Sequence, residues 1–280
     1  MAEPEVWQEV WIERLTWPEV EARIAGGARR VIICAASSEQ HGPQLPEATD
    51  ALLGAATAER LARRLGDTLV APVIRPGCSE HHMAFAGSLT ISPELLMDIL
   101  DAYVDGLRRH GFDSFIVFSS HGGNFPVLEE WNRTRPKPGA TVVSDLRAFS
   151  DVLLEVAARH GHRDGTAVHA EFCETSMMLA VHPELVHMER AEPGFTGELE
   201  PERLFREGMR GISANGVLGN PVGAEAAVGE ELFDAMTKWL AAQVPWSTGP
   251  NSSPILDRSS RRRGDRTWPC ASLPSWSCSG

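Results

Sequence analysis

The sequence predicts an α/β fold whose parallel sheet is covered by helices on both faces. Three observations carry this. Segments of strand character alternate with segments of helical period along most of the chain. The strand segments are unbroken apolar runs, such as Val31-Ile32-Ile33-Cys34, rather than the apolar–polar alternation of a half-exposed sheet. Histidines stand just past the ends of successive runs: His41 after the first, His81 and His82 after the second, His121 after the third. In an open parallel sheet, that edge is where ligands bind.

In order, residues 5–24 carry Trp7, Trp11 and Trp17 among scattered charges and predict short helices packed on a larger body. Residues 28–36 predict a strand, and 50–65 a helix with Leu53, Thr57, Leu61 and Leu65 along one side. A second strand follows at 68–74 and a second helix at 92–110. That helix has Ser92 as N-cap, Pro93 and Glu94 in its first turn and Gly111 past its end. A third strand at 114–120 leads into a helix from about 124 to 133. A fourth strand at 140–146 leads into a helix at 149–160, and a further helix runs from 170 to 181, before Pro183. Residues 190–222, rich in Gly, Pro and Glu, predict irregular structure, and 223–242 a final amphipathic helix. Residues 1–245 are thus expected to form one α/β domain. From Ser247 the composition turns to Ser, Arg, Pro and stray Trp and Cys, with Arg261-Arg262-Arg263 at its centre, so 246–280 predict a disordered tail.

Composition narrows the partners. A net charge of -12 argues against nucleic acid or an anionic membrane. The five cysteines form no CxxC pair, and Cys34 and Cys78 beside apolar runs read as small core residues in a reducing compartment. The acidic start Met1-Ala2-Glu3-Pro4-Glu5 has no signal-peptide pattern, and no apolar run approaches membrane-spanning length. A cytoplasmic protein is expected.

The stretch from Ser38 to Asp50 holds the densest chemistry. Glu39 and His41, two apart, leave extended backbone on one side. Gly42-Pro43 and Leu45-Pro46 make a stiff loop that delivers Asp50 to the next helix. Two carboxylates and an imidazole on a rigid loop suit a divalent metal; a surface loop with Asp50 as helix cap is the alternative. His121-Gly122-Gly123-Asn124 leaves its strand through two glycines, so the backbone comes close to whatever His121 contacts. Phosphate binding there is the weaker reading, without a GxGxxG or Walker lysine. In the cluster His169-Ala170-Glu171-Phe172-Cys173-Glu174, His169 is expected at the start of the helix, free to approach a substrate. Glu171 reads as part of a solvated acidic first turn. Glu174, ahead of Met177-Met178-Leu179, reads as facing inward, where a carboxylate needs a cation. No GxSxG elbow supports a serine hydrolase.

At these residues the chain resembles the creatininase (creatinine amidohydrolase) family. The resemblance lies in Ser38-Glu39-Gln40-His41-Gly42-Pro43, Leu45-Pro46 and Thr49-Asp50. It continues through His82 with Phe85-Ala86-Gly87-Ser88, His121-Gly122-Gly123-Asn124, His169 with Glu174-Thr175-Ser176, and Gly216-Val217-Leu218-Gly219. It implies a three-layer α/β sandwich with a mostly parallel central sheet, often assembled as a hexamer, with two metal ions acting on C–N bonds of cyclic or linear amides. By position, Glu39, His41, Asp50 and His121 match metal ligands, with Asp50 as the bridge. Glu174 matches the carboxylate that completes the site, and His169 a histidine that handles protons, so these two are the expected catalytic residues. Gly123 departs from the family's pattern, standing where creatininases carry a metal-binding glutamate.

Five ligands exceed the three of a mononuclear catalytic zinc, so two divalent ions about 3.5–4 Å apart are the natural count. Mixed N/O ligation suits zinc, and manganese or iron(II) fit as well. The expected activity is hydrolysis of a small amide, lactam or formamide, with a short peptide as alternative substrate and a non-catalytic scaffold as the contrasting class. Creatinine itself is not expected. The creatininases it resembles place tryptophans just after the fourth strand and just before the active-site histidine, to stack on the creatinine ring; here 144–147 and 164–167 hold no aromatic residue, and Arg147 and Asp164 suit a polar substrate.

Overall fold

The structure, a computed structural model, describes residues 9–163 and 168–244. The expected tail at 246–280 and residue Asp164 lie outside the described residues. The elements run α1 (Trp17–Ala25), β1 (Arg30–Ala35), α2 (Thr49–Leu65), β2 (Thr68–Val70), α3 (Pro93–Arg109), β3 (Ser114–Ser119) and α4 (Phe125–Thr134). They continue with β4 (Ala140–Val142), α5 (Leu146–Arg159), α6 (Phe172–Val181), α7 (Pro201–Glu207), α8 (Met209–Ile212) and α9 (Ala226–Gln243).

The four strands are parallel, in the order β2-β1-β3-β4. Successive side chains of a strand point to opposite faces, and the core divides accordingly. Ile32, Cys34, Ile116 and Phe118 pack with α2, α5, α6 and α9 on one face. Val31, Ile33, Phe115 and Val117 pack with α3 and α4 on the other, where Val20 and Ile24 of α1 add a margin. The result is the three-layer α/β arrangement expected. Near the N-terminus, Trp11 is buried, and its Nε1–H donates to Glu59 at 2.9 Å. No helix among the described residues is long and apolar enough to cross a membrane.

Boundaries differ from expectation where a local group takes over the backbone. β2 ends at Val70 because Pro72 has no N–H for the ladder; the chain rejoins it through Ala36 N–H donating to the Ile74 carbonyl at 2.8 Å. β4 stops early and α5 starts at Leu146, because the Asp145 carboxylate caps the helix by accepting from Ala148 N–H at 3.0 Å. Within 190–222, where irregular structure was expected, α7 and α8 form. Pro201 opens α7, and Gly208, at φ +70°, breaks the chain between the two helices.

Candidate metal centre

β1 and β3 pair in register from Arg30↔Ser114 to Ala35↔Ser119, so both chains leave the sheet side by side. Glu39 and His41 follow β1, Asp50 lies in the first turn of α2, and His121 follows β3. Asp50 does not cap its helix: Ala48 holds the cap position, and the Asp50 side chain, 2% exposed, turns to the histidines instead. This excludes the surface-loop reading of the stretch.

The tautomers follow from the backbone partners. His41 Nδ1–H donates to the Glu39 carbonyl at 3.0 Å. Its Nε2 then faces Asp50 Oδ1 at 3.1 Å and Glu174 Oε2 at 3.8 Å. His121 Nε2–H donates to the Cys78 carbonyl at 3.2 Å, leaving Nδ1 beside Glu39 Oε1 at 3.1 Å and Asp50 Oδ2 at 3.3 Å. Both Glu39 oxygens and Asp50 Oδ2 are buried without a hydrogen-bond partner. Buried carboxylates facing imidazole lone pairs require positive charge between them.

The titration shifts say the same. Burial works against charge on His41, but the Asp50 carboxylate overrides it and carries the imidazole up to about 10. Burial likewise opposes charge on His121, yet Glu39 and Asp50 raise it well above its ordinary value. Asp50 is itself held below the usual carboxylate range, against its burial, chiefly by His41 and His121. Among the described residues, three buried groups offer donor atoms within 4.8 Å of one another: Glu39–Asp50–His121, His41–His169–Glu174 and Glu39–His82–His169. The residues present therefore fit divalent cations.

Gln40, between the two expected ligands, locks a further pair of rings. Its Oε1 accepts from Gly42 N–H at 2.9 Å, while its amide nitrogen donates to the Gly216 carbonyl at 3.2 Å and to His82 Nδ1 at 3.0 Å. His82 consequently carries its proton on Nε2, 3.3 Å from Glu39 Oε1. His169 Nε2–H donates to the Gln40 carbonyl at 3.0 Å, which turns His169 Nδ1 toward Glu39. The 216–219 segment fixes this histidine from the other side, where Leu218 N–H donates to the His169 carbonyl at 3.0 Å.

The five expected ligands are thus brought together, with His169 beside them. Its ring centroid is 4.5 Å from that of His41 and 4.7 Å from that of His82. It precedes α6 rather than opening it. Ala170 takes a left-handed φ of +54° that no helix continues, and its N–H donates to Glu174 Oε2 at 2.5 Å. Glu171 is not part of a solvated turn: it is buried under the packed helices and caps α6, accepting from Cys173 N–H at 2.8 Å. Burial pushes its carboxyl up to about 8. Arg147, expected near the site, is 92% exposed at its side chain and reaches only toward Asp151 on its own helix. The expectations did not single out His82 or Gln40 as site residues. The place of His82 after the second strand was a usable signal; that of Gln40 shows only once its partners from 169 and 216 are folded in.

Gly123 keeps this arrangement open. A Cβ there would press inside contact distance of the Cys78 carbonyl and His121 Nε2, and would lie 2.9 Å from His81 Cε1.

Comparison with known proteins places this geometry. The profile of the family described as Creatininase: Creatinine amidohydrolase matches residues 13–244. The mycofactocin precursor peptide peptidase of Mycobacterium ulcerans is 32% identical over 84% of this chain and 88% of its own. The creatinine amidohydrolase of Pseudomonas putida is 25% identical over 85% of this chain and 96% of its own. A solved creatininase variant of Zn-Zn type superposes with a TM-score of 0.68 at 23% identity, covering 84% of this chain and 96% of that one. The chain, with these motifs on this fold, belongs to the creatininase family of amidohydrolases.

Proposed function

We propose that this protein is a metal-dependent amidohydrolase that cleaves a peptide amide bond. In this reading, two divalent ions, zinc first and manganese or iron(II) as alternatives, are held by Glu39, His41, Asp50, His121 and Glu174. The observation that carries it is the set of buried, partnerless oxygens, both of Glu39 and Oδ2 of Asp50, of which Glu39 Oε1 and Asp50 Oδ2 face His121 Nδ1, while the other Asp50 oxygen holds His41 Nε2. Bound there, the ions supply Lewis acidity and an acidified water able to attack an amide carbonyl at neutral pH.

The chain's own residues do the rest. Asp50, with one oxygen toward His41 and the other toward His121, joins the two halves of the centre. His169, tied at Nε2, has Nδ1 free toward the centre; that atom takes up a proton and returns it to the leaving nitrogen. Gln40 fixes the ring in the orientation this needs. Burial of the ligands excludes bulk water and strengthens each of these interactions.

A peptide is favoured over creatinine on two grounds. The relative acting on a precursor peptide is more similar to this chain than the one named for creatinine. By resemblance, residues 144–147 also match a stretch where creatininases carry a stacking tryptophan, and they hold no aromatic residue. Steady-state assays of zinc- and manganese-loaded protein with short peptides, formamide and creatinine test the reading. Peptide turnover with negligible creatinine turnover is expected. Efficient creatinine turnover overturns the substrate class, and a folded protein without affinity for zinc or manganese overturns the enzyme.

A further inference from the structure

His81 and His82 are the imidazoles of this cluster that the chemistry above leaves unused, and of the two His82 is held by Gln40 and Glu39. His81 is 8% exposed, and among the described residues its ring nitrogens have no hydrogen-bond or ion-pair partner; its ring contacts are all through its faces and edges. His41, His82 and His121, by contrast, each have both nitrogens engaged, and His169 is tied at Nε2 with Nδ1 toward Glu39. The His81 ring lies parallel to His121 at 5.7 Å and 15°, and 4.3 Å from His82. Its remaining side meets the edge of Phe205 on α7 at 5.1 Å, and Phe205 is 53% exposed.

Exposure shows where the centre opens. Glu174, His81 and His169 are 9%, 8% and 7% exposed, against 1–3% for Glu39, His41, Asp50, His82 and His121. These three residues are the least buried of the cluster, and on the His81 side the exposed Phe205 stands next outward. No hydrogen bond or ion pair among the described residues holds the His81 nitrogens, and they are not among the buried atoms left without a partner, so they stay available to an incoming polar group.

We propose that His81 and Phe205 form a substrate subsite. His81 offers a ring nitrogen to a backbone amide of the peptide beside the scissile bond, and Phe205 packs against a large apolar or aromatic side chain flanking that bond. The missing side chain at Gly123 gives the His81 ring its room. This assignment rests on the peptide reading above and names the residue class it selects.

The test uses the full-length zinc-loaded protein with the tripeptides Gly-Phe-Gly and Gly-Gly-Gly, and with formamide, which is too small to reach His81. His81→Phe keeps the ring stack and removes the nitrogens. It is expected to retain zinc and to raise KM for both peptides about tenfold with kcat little changed, the size of one lost hydrogen bond, while formamide turnover holds. Phe205→Ala, at an exposed position, is expected to raise KM for Gly-Phe-Gly alone. Zinc loss from His81→Phe, an equal loss on formamide, or an unaltered preference in Phe205→Ala overturns the subsite. Calorimetric binding separates it from the proposed activity. Peptides that bind the wild type but are not cleaved sink the activity and leave the subsite standing. Formamide turnover without any peptide binding sinks the subsite.

Discussion

The substitution Gly123→Ala perturbs the centre without replacing a ligand. The new methyl group would press on the Cys78 carbonyl and on His121 Nε2, the two ends of the hydrogen bond that aims the His121 ring, and would lie 2.9 Å from His81 Cε1. The Cys78 carbonyl is backbone, so His121 and His81 must give way. Overpacking of this kind costs about 1–3 kcal/mol, which for a domain of this size lowers Tm by roughly 2–12 °C. Losing the bond that orients a metal-ligating histidine lowers metal affinity by about 10–100-fold. Competition for zinc against a chromophoric chelator reads the affinity, and calorimetric melting of the metal-free protein reads the packing cost. A Gly123→Ala protein that binds zinc as tightly as the wild type would refute the idea that this glycine holds the His121 ring in place.

Other substitutions and conditions probe the same centre. Asp50→Ala should lose activity and at least one ion by metal analysis, because its two oxygens face both halves of the site; retention of two ions and full turnover contradicts the bridge. His169→Ala should keep its metal while kcat falls by about 10²–10⁴, and a collapse in metal content would make His169 a ligand instead. Chelation should make stability depend on pH. The His41 imidazole rises from 6.5 to about 10 on folding, so its contribution is complete below about 6.5 and lost as pH rises through 10. The chelated protein should therefore melt progressively lower across that interval while the zinc-loaded protein, whose ion takes the place of the proton, does not; parallel melting curves would count against the cation site.

Much of this was legible because the sequence signals were local. The apolar runs of β1 and β3 set the sheet, and Glu39, His41, Asp50 and His121 converge because they follow two strands that turn out to be neighbours. Ser92 and Pro93 marked the start of α3 for the same reason, since a helix cap is written in consecutive residues. What escaped depends on contacts between distant segments. Glu171 looked solvated because an acidic first turn usually is, but α6 is buried along most of its length, so the carboxylate is enclosed and satisfied by the N–H groups it caps. Gln40 gains its role only when the Gly216 carbonyl and the rings of His82 and His169 arrive from 42 to 176 residues away. α5 starts earlier than its sequence pattern predicts because Asp145, at the end of a stretch of strand character, turns its side chain to cap the helix.

Ala170 carries a consequence for how this protein could change. A left-handed backbone costs an alanine roughly 1–2 kcal/mol. Glycine would recover most of that, but would add about 0.5–1 kcal/mol of unfolded-chain freedom. Glycine comes out ahead by about 0.5–1 kcal/mol, so selection for foldability alone would favour it at this position. What alanine adds is a narrower angular range for the peptide unit joining His169 to the N–H that holds Glu174. A library sorted by melting temperature would let glycine through at 170, and one sorted by turnover would discard it.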